Sequence, residues 1–428
     1  MNRREFIGSA LGACGAIASA PAPGVTAAAA DAGLVGRKWP GWKKGHFQVH
    51  SIYTGVAESL FLVYPDGTSM LLDCGDHAAI NRGDLAVPVL PSGSRHAGEW
   101  IARYVERVNP NGRDVDYMVV SHFHSDHTGC ESWHAGRAAG GYFLSGFAQA
   151  AETLRFRKAV DRGWPRYDEP LPLAKDADSG SLGNMLGLYR TLKERDGLLV
   201  EKFRLGAEDQ FRPLRDESAC GGFSVRNICA NGKIAAPDGT VRDLYAERIA
   251  QTKPGAVNEN GMSLGMIFTA GKFRLFTAGD FSDGWRQPDG RWFFIEDALA
   301  EVVPRVQVAK INHHGHHAVI GRLAAALSPQ VWFSCVWDQL HNTADTMEAI
   351  AGATAGRKLY CPGILPAERR WQDRNAGWMK DVAEECFQGC HVVVDVAPGG
   401  EEYDVAFVAA RDESMKVCGV RHFTSREP

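Results

Sequence analysis

Beyond its first thirty residues the chain has no apolar run approaching the ~18 consecutive residues that a membrane-spanning helix needs, so no membrane span is expected. Basic residues are not in excess: 47 Lys and Arg stand against 51 Asp and Glu, a formal net charge of −4. Bulk charge therefore advertises no nucleic-acid surface, and no stable nucleic-acid partner is expected. The 10 cysteines form no C-x-x-C pair, which leaves out the usual structural zinc site and any readable disulfide framework. Internal repeats and long low-complexity tracts are absent too, which excludes a repeat array.

What is there is an ordinary globular composition: 428 residues, 45% apolar and 23% charged, ample for a large buried core. The first thirty residues depart from it. "MNRREFIGSALGACGAIASAPAPGVTAAAA" combines a charged start, small apolar residues and an Ala-rich end, the pattern of a targeting segment outside the fold. Arg3 and Arg4 in "RREFIG" resemble the pair of a twin-arginine export signal, which implies the twin-arginine translocation machinery as a partner and a periplasmic or secreted location. Cleavage is expected among Ala27 to Ala30, and "LGAC", ending at Cys14, also resembles a lipoprotein box. Residues 31–45 read as a lead-in and residues 46–428 as one domain.

Apolar runs bounded by turn residues then recur. "HFQVHSIY", "SLFLVYP" and "SMLLDCG" read as strands, the last two joined at "PDGT"; "AGEWIARYVERV" has helical spacing, and "VDYMVVSHFH" returns to a strand. From residue 130 to about 222 the pattern weakens into Pro-rich and charged stretches with one helix at "NMLGLYRTLKERDG", which suggests an insertion or lid. Strands resume at "FSVRNICANG", "SLGMIFTAG", "KFRLFTAGD", "RVQVAKINHHG", "QVWFSCVW" and "CHVVVDV", with a helix at "TMEAIAGATAG". Mixed strands and helices in this order suggest two layered sheets flanked by helices.

"SHFHSDHTG", residues 121 to 129, sets three histidines and an aspartate within six positions at a strand end. His122 and His124, two apart on extended chain, point the same way and can meet one metal; Asp126 and His127 come after the turn and can face a second. Donors of this kind suit zinc or a similar first-row ion. Asp73 in "LLDCGD", Asp280 in "LFTAGD" and His313 with His314 in "KINHHG" each come after an apolar strand and precede Gly or another short residue within two positions, which would bring four loops to one sheet edge.

On these residues the chain resembles the metallo-β-lactamase superfamily, whose HxHxDH motif "HFHSDH" matches and whose spaced Asp and His motifs occur in order over roughly residues 46–400. The resemblance implies an α/β fold, the αββα sandwich of two mixed sheets flanked by helices. It also implies two divalent metal ions, zinc first, with manganese or iron as alternatives. His122 and His124 would hold the first ion, Asp126 and His127 the second, Asp280 would bridge them, and His314, directly before Gly315, would complete the second. Asp73 would position the cluster's histidines, and His313 would contact substrate and share in catalysis.

One departure is informative. Most members supply a third histidine to the first metal from a mid-chain loop, but only His134 lies between His127 and Asp280, and the loop reads "NENGMSLG". Asn260 and Ser263 there, with the "HHG" loop, resemble the ComEC-type DNA-internalisation domains and phosphorylcholine esterases. Together with the export signal, that subgroup implies an exported hydrolase in which a metal-bridging hydroxide, oriented by Asp126, attacks a phosphodiester or other phosphoester substrate. Asn260, Ser263, His317 and His341 are the expected substrate contacts. A lactamase or lactonase is the nearest alternative, weakened by the missing histidine; a redox or a non-catalytic metal-binding member is the next. Lys310, alternating with apolar neighbours, receives no role.

Overall fold

The structure is a computed structural model that describes residues 33–56, 58–76, 88–129, 136–170, 179–248, 257–281, 284–336, 341–353, 358–360 and 389–427. The targeting segment, its cleavage region and His134 lie outside them. Among the described residues no helix is long and apolar enough to cross a membrane.

The opening strands are β1 (Phe47–Ser51), β2 (Leu60–Val63) and β3 (Ser69–Leu72), with β2 and β3 paired antiparallel. Asp66 closes their turn by accepting from the Thr68 amide at 2.9 Å, while Gly67 takes φ 86°, which no side chain adopts cheaply. Helix α1 (Ala97–Val108) buries Trp100, Ile101, Tyr104, Val105 and Val108, one apolar face at helical spacing. It crosses over to β4 (Asp114–Val119), which lies parallel to β3.

Next come α2 (Ser125–Thr128), α3 (Phe147–Ala150), β5 (Arg155–Asp161), α4 (Ser179–Asp196) and β6 (Leu199–Lys202). Here the expected insertion or lid over residues 130–222 is corrected. β5 and β6 extend the first sheet in parallel beyond β4, and Met185, Leu188, Tyr189 and Leu192 of α4 are fully buried in the core. The strand escaped the sequence because Arg155 and Arg157 of "RFRKAVD" are exposed between buried apolar positions, which buries the alternation in charge.

The second sheet begins with β7 (Phe223–Ala230), β8 (Lys233–Ala235) and β9 (Val241–Asp243), after which comes α5 (Leu244–Glu247). β10 (Gly265–Ala270), β11 (Phe273–Ala278), β12 (Gly284–Arg286), β13 (Trp292–Phe294), α6 (Ile295–Leu299) and β14 (Val308–Lys310) come next. They lead into α7 (Gly321–Leu327), β15 (Val331–Phe333), α8 (Ala344–Ala353) and β16 (Lys358–Tyr360). The chain returns to the first sheet with β17 (Cys390–Val396), β18 (Glu402–Ala409) and β19 (Val417–Thr424).

One sheet runs β19-β18-β17-β1-β2-β3-β4-β5-β6 and the other β16-β15-β14-β11-β10-β7-β8-β9. Alternate residues of β2 face opposite layers. Leu60 and Leu62 pack between the sheets against Phe268 and Leu275, whereas Phe61 and Val63 join Ile101 and Val105 under the first helical layer. Leu323, Leu327, Met347 and Ile350 of α7 and α8 cover the far face of the second sheet. The result is the expected metallo-β-lactamase sandwich, two mixed sheets between helical layers. The lead-in is part of it: Gly36 and Trp39 donate to the carbonyls of Val417 and Met415, each at 2.8 Å.

Candidate metal centre

Four loops meet where β3, β4, β11 and β14 end, at one edge shared by both sheets. They carry Asp73, then His122 to His127, then Asp280, then His313 and His314. Nε2 of His122 lies 3.0 Å from Nδ1 of His124. Nε2 of His127 lies 3.2 Å from Nε2 of His314 and 3.1 Å from Oδ2 of Asp280, and Nε2 of His314 is 3.0 Å from Oδ2 of Asp126. The structure thus gathers all six residues expected as ligands, with Asp126 and His314 in contact from 188 positions apart in sequence.

The hydrogen bonds around them fix which nitrogens are available. The Asp73 carboxylate can only accept: Oδ1 takes the Ser121 amide at 2.8 Å, and Oδ2 takes the Ser121 hydroxyl at 2.6 Å and Nδ1–H of His127 at 2.8 Å. With its proton committed to Asp73, Ser121 Oγ is left to accept from Nδ1 of His122 at 3.1 Å. His314 donates through Nδ1 towards the Cys335 carbonyl at 3.1 Å and Glu58 Oε2 at 3.3 Å. All three Nε2 lone pairs therefore turn into the cluster, the tautomer a metal ligand needs. The His127 and His314 lone pairs, facing one another at 3.2 Å, repel unless a proton or cation sits between them, and two nitrogens of a tetrahedral zinc are about 3.3 Å apart. Asp280 Oδ1, buried with no hydrogen-bond partner, is a further oxygen able to ligate a cation. The residues fit bound cations.

Charge points the same way. Burial opposes ionisation throughout, yet Asp280, Asp126 and Asp73 hold the His127 imidazole well above its ordinary range, and Asp280 and Asp126 do the same for His314. Those imidazoles in turn hold the Asp280 and Asp126 carboxyls well below theirs. Burial and the neighbouring His127 push His122 the other way, well below its range. The cluster favours positive charge, for which protons and metal ions compete.

Two features keep these loops in place. Gly279 has no room for a side chain: a Cβ there would lie 2.5 Å from Ser263 Oγ and 3.2 Å from His122 Nδ1. In the "HHG" loop His313, His314, His317 and Val319 all take φ between 49° and 56°, costing about 1–3 kcal/mol each for side-chain-bearing residues. Glu296 offsets that strain by accepting from Asn312 Nδ2 at 2.8 Å and from the amides of Val319 and Ile320 at 3.0 and 2.9 Å.

The expected substrate contacts divide. Nδ2 of Asn260 lies 3.4 Å from Nε2 of His313, whose Nδ1 has no protein partner; burial holds His313 at about 4, so it is neutral near pH 7. Ser263 is corrected: fully buried, its hydroxyl accepts the Asp280 amide at 2.9 Å and steadies that loop instead of meeting substrate. His317 turns to Asp345, 3.0 Å from each carboxylate oxygen. His341 is buried with its ring 5.0 Å from that of His314.

Four residues that had no role in the sequence reading carry the surroundings. Glu259, in the loop where the third histidine would fall, accepts from Phe123 N at 3.0 Å and from Arg162 at 2.6 and 2.7 Å, all fully buried. Glu58 accepts from Lys310 Nζ at 2.7 and 2.8 Å, also fully buried. Glu58 is close enough to His127, Asp280 and His314 to join them around one ion, but both its oxygens are taken by the Lys310 ammonium. For Glu58 and Lys310 a charged residue bordering an apolar run was the available signal; Glu259, between Asn258 and Asn260, and Arg162, between Asp161 and Gly163, carried none.

Residues 53–130 match a family model described as Metallo-beta-lactamase superfamily. No curated protein matches the chain. The matched stretch ends just past the HxHxDH motif, so Asp280 and His314 are joined to it by the fold. Together the sandwich and the His/Asp/Glu cluster suggest a metal-dependent hydrolase.

Proposed function

We propose that the chain is a binuclear zinc hydrolase that cleaves a phosphodiester after export through the twin-arginine pathway. The observation that carries the reading is the pair of facing donor sets, His122 with His124 and His127 with His314, with Asp280 and Asp126 between them. His122, His124 and Asp280 would hold one ion, and Asp126, His127, Asp280 and His314 the other. Bound there, the ions supply Lewis acidity and a water of lowered pKa.

The chain's own groups do the rest. Asp126 is the open carboxylate of the cluster, its side chain 13% exposed against 2% for Asp280, so it can take a proton from the attacking water and return one to the leaving group. Neutral His313, held by Asn260, has a buried, unpartnered Nδ1 that a small turn of the ring would offer to a phosphoryl oxygen. A second donor there suits a tetrahedral phosphoryl group with several acceptor oxygens. Asn260 stands in the loop where a lactamase-like member would place its third histidine, which favours the diester over a lactam or lactone.

The test is metal analysis of the purified protein, then turnover of bis(p-nitrophenyl) phosphate, nitrocefin and a lactone. Diester hydrolysis alone, falling at least about 100-fold in His122→Ala and Asp280→Asn, is the expected result. Nitrocefin or lactone as the preferred substrate would replace the phosphodiester reading, and a protein that binds no metal would end every hydrolytic one. Cell fractionation of the full chain against an Arg3→Lys/Arg4→Lys variant tests export.

A further inference from the structure

We infer that the buried pair Glu58 and Lys310 is a positioning device for His314 that sets how tightly the second cation is held. The inference rests on the two-ion reading of the centre and not on the phosphodiester. Lys310 Nζ bonds both oxygens of Glu58 at 2.7 and 2.8 Å, and Oε2 of the same carboxylate lies 3.3 Å from His314 Nδ1, on the side of the ring away from the cluster. The ammonium fixes the carboxylate plane and cancels its charge. Glu58 can then share the Nδ1 proton with the Cys335 carbonyl, 3.1 Å away, without adding a further net negative charge beside Asp73, Asp126 and Asp280.

Its backbone ties the same residue to two more of the loops. The Glu58 amide donates to the Asp126 carbonyl at 2.9 Å, and its carbonyl accepts the Gly75 amide at 3.1 Å. Lys310 stands at the end of β14, which is paired on both sides by β11 and β15, so its own position is rigid. One residue thus links the Asp73, HxHxDH and HHG loops, 252 positions from its ion-pair partner. Stability alone is a poor reason for such a pair, because apolar residues of similar size commonly do as well or better in its place.

The test is zinc titration of metal-stripped protein against a chromophoric chelator, repeated with Co(II) to follow the absorption of the second equivalent. The variant is Glu58→Gln/Lys310→Met, a neutral pair of similar volume. It is expected to keep the thermal midpoint of the metal-free protein, to bind the first zinc as the wild type does and to bind the second about 10–100-fold more weakly, with an altered Co(II) spectrum. A second zinc bound with wild-type affinity would overturn the inference. If the double variant does not fold, Glu58→Asp keeps the ion pair but withdraws the carboxylate from His314, and the same weakening is expected. A wild type that binds two zinc ions while either variant matches it defeats only this inference. A wild type that binds none removes the two-ion reading and this inference with it.

Discussion

Asp73 Oδ2 and His127 Nδ1 meet at 2.8 Å with both side chains almost wholly buried, and the same carboxylate reaches His122 through the Ser121 hydroxyl. One side chain at the end of β3 thereby sets the tautomers of a histidine in each proposed ion site. Asp73→Asn retains a single acceptor oxygen and turns an amide N–H at one of the two. Zinc affinity is expected to fall about 10–100-fold at both sites. Ser121→Ala is expected to weaken the first more than the second, and competition titration separates the two.

The Arg162 and Glu259 pair closes the other side of the HxHxDH loop, with Glu259 also accepting the Phe123 amide. Glu259→Ala leaves a buried guanidinium without its partner and is expected to cost about 3–5 kcal/mol of stability. Arg162→Met/Glu259→Leu is expected to recover most of that loss. Urea unfolding of the metal-free protein measures both.

At Gly279 the constraint is steric. Gly279→Ala puts a methyl within 2.5 Å of Ser263 Oγ and against His122. A loss of about 1–3 kcal/mol is expected, together with weaker binding of the first zinc. Adding Ser263→Gly opens the space and is expected to restore His122 more fully than it restores the Asp280 loop, whose amide then lacks its acceptor.

Away from the centre, burial takes His50 and His391 from the ordinary 6.5 to about 3. His391 accepts the Tyr53 amide at 2.9 Å, and His50 meets Tyr104 at 3.0 Å. Both folded values lie below the unfolded one, so between about pH 6.5 and about pH 3 the unfolded chain binds more protons. Stability is fully present above that window and is lost on acidification through it, by roughly 1.4 kcal/mol per pH unit for each histidine. His391→Asn is expected to remove its own share, roughly 1.4 kcal/mol per pH unit, read from urea midpoints at pH 7, 5.5 and 4.

Much of the site was legible because strand-end loops keep their chemistry in short motifs. "HFHSDH", "LLDCGD", "LFTAGD" and "KINHHG" each come after an apolar run, and a strand's period of two sends neighbouring donors in known directions. Ser263 was misread for a related reason: a hydroxyl looks alike in sequence whether it faces a substrate or, as here, the Asp280 amide. The helix at α4 was legible, but β5 was missed and both were placed outside the sheet layers, because a parallel strand at residues 155–161 is recognised by its neighbours, and those are β4 and β6.

By itself the sequence determined the donor types, their order and the apolar strands that deliver them, since these depend on local periodicity and side-chain chemistry. Only the tertiary structure decided that Lys310 faces Glu58 and that Arg162 faces Glu259, pairs 252 and 97 positions apart. The physical reason is that a buried charge is tolerable only beside its partner, and that adjacency comes from the meeting of two sheets. The same meeting brings Asp280 and His314 to His127, and so turns a histidine-rich strand end into a buried cluster able to hold metal.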